Sequence, residues 1–354
     1  MKANFLNSIN NVRAIAIILI ITGHCFDYSN FKIYSVSDKV FASLILGGTQ
    51  LFVFISGFLF HHVYSQNFSY KNFIKKKIRN ILFPYLFLSI IPILYFVVSW
   101  HGPHTSFIIL NRAGFWARYM YPILWYLYTG KINSVYWYIV FIMIIFILQP
   151  LFIRYIKLKP LQQTIILLAF YSISIYIHRP LNNINVIQSV VYFTPIYLFG
   201  ITASIYRQQF FYFLRNKALL FLLTAILLAL IQAIYYPDFG TLNKNFFSPA
   251  LPDIMMIQKF FLILFLMSIF HKYELNSNDA LNLVASTSFA LYFIHPFVIT
   301  LLYKVESAFN FDNPGLPKIL WLAIIIFIVI SISLLLAEFI KMIFRGKSRM
   351  LIGW

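Results

Sequence analysis

Charge is scarce in this chain. Aspartate, glutamate, lysine and arginine make up 10% of its 354 residues, against about 25% in a soluble globular domain. Acids are scarcer still, nine against 28 basic residues. There is one cysteine, Cys25, which excludes an internal disulfide and a CxxC metal site and reads as a small buried apolar side chain. The patterns GxGxxG, GxxxxGK[ST], HExxH and GxSxG are absent, so no dinucleotide fold, P-loop, zinc protease or nucleophile elbow is signalled, and no metal is expected. No internal repeat, low-complexity tract or basic recognition stripe occurs, which removes repeat proteins and nucleic-acid binders despite the net charge of +19. The first apolar run carries Arg13 and no small-residue cleavage site follows it, so it reads as a retained membrane helix and not as a signal peptide.

What is abundant is apolar. Hydrophobic residues are 61% of the chain, with 40 Phe and 24 Tyr. Lipid must solvate such a surface, since one water-soluble core cannot hide it. Runs near the roughly 20 residues needed to cross a bilayer fall at 11–29, 41–63, 78–99, 135–153, 161–177, 189–205, 218–236, 254–271, 285–303 and 317–342. The expected fold is an all-α integral membrane bundle of about ten transmembrane helices, one domain over 1–354 with no fused soluble domain. The longest connection, 100–134, is rich in aromatics. Trp116, Tyr119, Trp125 and Tyr128 in it suit an interfacial belt or stacking against a sugar. With an even number of crossings both ends lie on one side, and 17 of the 28 basic residues fall there. That bias predicts a multi-pass protein with both termini in the cytoplasm, in the inner (cytoplasmic) membrane, and contact with anionic lipid.

Ionisable groups inside a membrane are costly and mark function. Arg13 and His24 lie eleven residues apart in the first run, about three turns plus 20°, so they share a face roughly 16 Å apart along the axis. A guanidinium suits a phosphate and an imidazole suits a hydroxyl proton. The spacing fits a long donor with phosphates at one end and a thioester at the other. A snorkelling arginine and a core histidine are the plainer alternatives.

These residues also carry a resemblance. Arg13, ten intervening residues and His24 resemble the first-helix signature of the acyltransferase-3 membrane proteins. Phe52–Leu59 resembles that family's run ending in Ser-Gly-Phe, here Ser56, Gly57 and Phe58. The stretch from Phe73 to Tyr85, with Lys75, Lys76, Lys77 and Arg79 and a Pro-Tyr ending, resembles its basic segment. The pair Trp137-Tyr138 opens a helix as the family often does. Ser288, Leu291, Tyr292, His295 and Pro296 resemble its late Ser-x-x-Leu-Tyr-x-x-His-Pro motif. Phe289, where relatives often have Tyr, and Asp27, three residues past the histidine, depart from the pattern.

The resemblance implies an O-acyltransferase, and specifically an O-acetyltransferase. Its donor would be acyl-CoA, here acetyl-CoA, and its acceptor an envelope glycan or lipid-linked sugar. His24 is then the expected catalytic base. Arg13, Ser56, Gly57, Lys75, Lys77 and Arg79 are the expected donor-binding set, and Asp27, Trp137, Tyr292 and His295 the expected support. A glycan transporter or flippase, or a membrane acyltransferase of the separate MBOAT class, are the competing readings.

Overall fold

The computed structural model describes residues 5–65, 67–98, 114–309 and 315–354. Lys2, Arg112 and the first part of the 100–134 connection lie outside the described residues. Within them the regular structure is helical, apart from one pair of two-residue strands, β1 (Arg179–Pro180) and β2 (Asn243–Lys244), paired in parallel.

Nine helices among the described residues are long and apolar enough to cross a membrane, and a bent pair makes a tenth crossing. The crossings are α1 (Asn7–Tyr28), the broken span Val36–Tyr64, the span Tyr70–Val98, the bent pair α7 (Trp137–Ile147) and α8 (Gln149–Ile156), α9 (Pro160–Ile177), α10 (Val186–Ile205), α12 (Ala218–Tyr235), α13 (Ile254–Lys272), α15 (Ser288–Phe309) and the span Lys318–Ile352. They alternate in direction. The end of the bundle holding Asn7, Tyr70 and Ser288 is called the inner end here, and the end holding Tyr28 and residues 178–185 the outer end.

The third span starts at Tyr70, eight residues before the apolar run at 78. Its first two turns, α4 (Tyr70–Lys77), are basic and polar, so hydropathy alone stops short of them. The basic cluster is thus part of a helix and not of a connection. The second span is broken into α2 (Val36–Ile45) and α3 (Gly48–Leu59). Gly47 turns the chain there at φ 83°, a left-handed conformation that a side chain disfavours. The break strands carbonyls at the end of α2. Lys259 of α13, itself fully buried, donates its ammonium to the carbonyls of Ser43 and Leu44 at 2.9 and 2.7 Å. The lysine thereby satisfies the helix end and its negative dipole without any acid. The fourth span bends by 56° between α7 and α8, where Pro150 in the first turn of α8 cannot donate a backbone hydrogen bond to α7.

Packing at the centre depends on close backbone approach. A Cβ on Gly57 of α3 would sit 2.1 Å from the carbonyl oxygen of Tyr197, and one on Gly200 of α10 would sit 2.1 Å from that of Phe54. Small residues at these two crossings let α3 and α10 touch along their backbones. By contrast α9 buries little of itself, and Leu219, Leu220, Leu223 and Leu227 of α12 face outward. These are the surfaces that meet lipid.

Candidate functional site

α1 positions two polar side chains against one partner helix. The Arg13 guanidinium lies 5.5 Å from the Phe289 ring, and the His24 ring centroid lies 5.5 Å from that of His295. Phe289 and His295 both belong to α15, so Arg13 and His24 project from one face of α1 toward the same neighbour, as their eleven-residue spacing predicts.

At the inner end, Arg13 opens onto a cavity of about 460 Å³. Arg13, Lys76, Lys77 and Arg349 line it together with Ser56, Asn80 and Tyr138, and no acid among the described residues does. Arg13 has no ion pair among the described residues. The walls are aromatic: the Lys77 ammonium lies 4.3 Å from the centre of the Phe146 ring and 5.1 Å from that of Phe73. Residues 348–354 fold back under the bundle through α17 (Ser348–Ile352), which brings Arg349, Gly353 and Trp354 to the rim.

From Tyr138 on the cavity wall a series of rings leads toward the outer end. Tyr138 is 5.8 Å from Tyr292, Tyr292 is 6.3 Å from His295, and His24 follows. The Tyr292 hydroxyl donates to the carbonyl of Val135, and that of Tyr136 to the carbonyl of Phe293 at 3.3 Å. These bonds hold the connection before α7 at the depth of the histidines.

His295 is fully buried, and its Nδ1 lies 2.8 Å from the carbonyl oxygen of Leu291. A carbonyl only accepts, so Nδ1 carries the hydrogen. Nε2 is left with a lone pair and no partner among the described residues. His24 is half-buried and makes no hydrogen bond among the described residues. The two imidazoles are ring neighbours, and one of them offers a free acceptor nitrogen.

The expected residues divide sharply. Arg13, Ser56 and Lys77 meet at the inner cavity. His24, His295 and Tyr292 meet above it. Trp137 stacks on Phe193 at 5.8 Å, beyond Tyr138. Gly57 lies about 100° around α3 from Ser56, and there it packs against α10. Lys75 and Arg79 are exposed and outside the cavity lining. Asp27 is exposed, with no bond to His24 among the described residues. Trp116 and Tyr128 are exposed as well.

Helical phase explains the split among the cations. Once the helix is continued back to Tyr70, Phe73, Lys76, Lys77 and Asn80 share one face and Lys75 and Arg79 lie off it. Reading that phase through the basic stretch was the signal that would have found Lys76 and Asn80. Arg349 carries no such signal, since only folding brings residue 349 to residue 13.

The architecture and the site define a multi-pass membrane protein with a cation-lined inner cavity and a pair of histidines within the bundle. The chain belongs to the acyltransferase-3 family: the family model described as "Acyltransferase domain" matches residues 6–338. It is therefore a membrane acyltransferase, a transferase of groups other than aminoacyl, and the transporter and MBOAT readings fall. No curated protein and no solved structure matches the chain.

Proposed function

We propose that the protein transfers an acyl group, acetyl in the simplest case, from acyl-CoA to a hydroxyl of an envelope glycan or lipid-linked sugar, from a position in the cytoplasmic membrane with both ends of the bundle's chain inside. The observation that carries this reading is the inner cavity, with four cations, no acid and a chain of rings leading from it to His24 and His295.

Arg13, Lys76, Lys77 and Arg349 hold the phosphates of the donor, Arg13 as a planar fork and the lysines as point charges. Ser56, Asn80 and Tyr138 supply neutral hydrogen bonds along the arm. The thioester then lies toward the histidines. His24 removes the proton of the sugar hydroxyl as the oxygen attacks the thioester carbon. The tetrahedral intermediate collapses, the carbon–sulfur bond breaks, and the imidazolium returns its proton to the departing thiolate. His295 supports the His24 ring by packing against it at 5.5 Å.

The test is His24→Gln in the full-length protein, measured as transfer of labelled acetyl from acetyl-CoA to glycan. A positioned base contributes about 10²–10⁴-fold in rate, so transfer should fall by that factor at unchanged protein level and unchanged CoA binding. A well-folded glutamine variant that transfers at the normal rate overturns the mechanism.

A further inference from the structure

At the outer end a further cation, half-buried, stands beside the histidines. Arg179 precedes α10 in a connection built with unusual rigidity. His178 is buried in a left-handed backbone conformation, φ 58°, with its Nε2 2.7 Å from the carbonyl oxygen of Leu251. Asn182 and Asn183 are also left-handed. One buried amide, Gln188 Nε2, donates to the carbonyls of Ile177, His178 and Lys244 at 3.1, 3.3 and 3.1 Å. Strained, over-determined backbone of this kind recurs where a side chain must be held for a ligand.

What is held is a guanidinium with nothing of opposite charge bonded to it. Nη1 donates to Thr241 at 3.3 Å and Nη2 to Asn183 at 2.9 Å, both neutral acceptors. Nε is buried and has no partner among the described residues. Its flat face lies 4.7 Å from the Trp137 ring. The acid whose charge acts on it, Asp253, is already occupied. Its carboxylate accepts from Tyr192 at 2.7 Å and from the Met256 backbone at 3.2 Å, and burial pushes that carboxyl up from its usual range. Among the described residues Arg179 forms no ion pair. A half-buried cation with a buried spare donor and no counter-ion is costly unless a ligand completes it. Arg179 is also near enough to His24 for its charge to act on the ring, and it approaches from the side opposite the inner cavity.

We propose that Arg179 is the seat of an oxyanion carried by the acceptor, a carboxylate or a phosphate, which fixes the acceptor hydroxyl over His24. The proposal rests on the acyl-transfer reading above. It makes this chain selective for acidic acceptors, with the donor's anion bound at one end of the bundle and the acceptor's at the other.

The test is thermal unfolding of the purified full chain in detergent at fixed ionic strength, titrated separately with CoA, sodium glucuronate and sodium pyrophosphate. CoA is kept present in the pyrophosphate arm so that the inner cavity is occupied, and sodium chloride is the control. Glucuronate or pyrophosphate should raise the midpoint of the native protein. In Arg179→Gln the apparent affinity for that anion should fall about tenfold or more, the worth of a lost charge-assisted bond, while the CoA response is unchanged. A glucuronate response places the charge on a sugar, a pyrophosphate response on a lipid carrier. No anion response in the native protein, or equal responses in both proteins, overturns the proposal. If Arg179→Gln does not fold, Arg179→Lys decides, since it keeps the charge, loses the fork and should bind the anion measurably less tightly. A missing CoA response counts against the acyl-CoA reading alone.

Discussion

The residue that distinguishes two roles for the histidine pair is His295. Its Nδ1–H is committed to Leu291, so its only free function is to accept at Nε2. If His24 is the base and His295 its positioning partner, His295→Gln should lower the turnover rate by roughly 10–100-fold through loss of the ring packed against His24 at 5.5 Å, without changing the acyl-CoA concentration needed for half-maximal rate. A loss as deep as that of His24→Gln would show that the two imidazoles act as one unit. The acid at position 27 illustrates how far sequence carries at this scale. One helical turn separates Asp27 from His24, which is all that an orienting carboxylate requires, yet the carboxylate faces outward and the neighbour of His24 comes from a helix some 270 positions away. Periodicity within α1 gives the direction in which Arg13 and His24 point. It says nothing about what waits there, and so Arg179 and Arg349 reached the two ends of the site unannounced.

Among the elements, the crossing of α3 and α10 is the most exacting. Gly57 and Gly200 each meet a backbone carbonyl of the other helix, and no rotation of a side chain can relieve an added methyl. Gly57→Ala and Gly200→Ala should each destabilise the bundle by about 1–3 kcal/mol, read as a lower unfolding midpoint in detergent, whereas Ser56→Ala should leave the midpoint near its native value and alter donor affinity only. Equal midpoints for Gly57→Ala and the native protein would remove the packing role. Most spans were legible from hydropathy because lipid demands an apolar run of a given length. The exceptions have local causes. α4 is basic yet helical because it lies beyond the apolar layer, and α2 and α3 read as one run because a single glycine turn breaks them without adding polarity. The lysine that caps that break, Lys259, belongs to a span some 215 residues further on, so its partner carbonyls cannot be inferred from either segment alone.

For the molecule as a whole, ten crossings put the connection after α13 on one side of the membrane and the one before it on the other. Cys25 is the only cysteine and is buried, which makes a labelling test direct. In a Cys25→Ala background and intact cells, an impermeant maleimide should modify Asn243→Cys and not Asn276→Cys. Labelling of both or of the second alone would refute the orientation. The inner cavity adds a kinetic consequence. Four cations share a space of about 460 Å³ with no carboxylate among the described residues lining it, so the bundle projects a positive potential toward the aqueous phase at its inner end. Such a field captures a polyanion before contact, and mobile ions quench it over about 8 Å at 0.15 M ionic strength. Raising sodium chloride from 0.05 to about 0.5 M should therefore slow the encounter with acyl-CoA and depress kcat/KM severalfold while kcat holds, and Arg349→Gln, which removes one of the four charges, should flatten that dependence. A cell's potassium level would then set how quickly this enzyme loads.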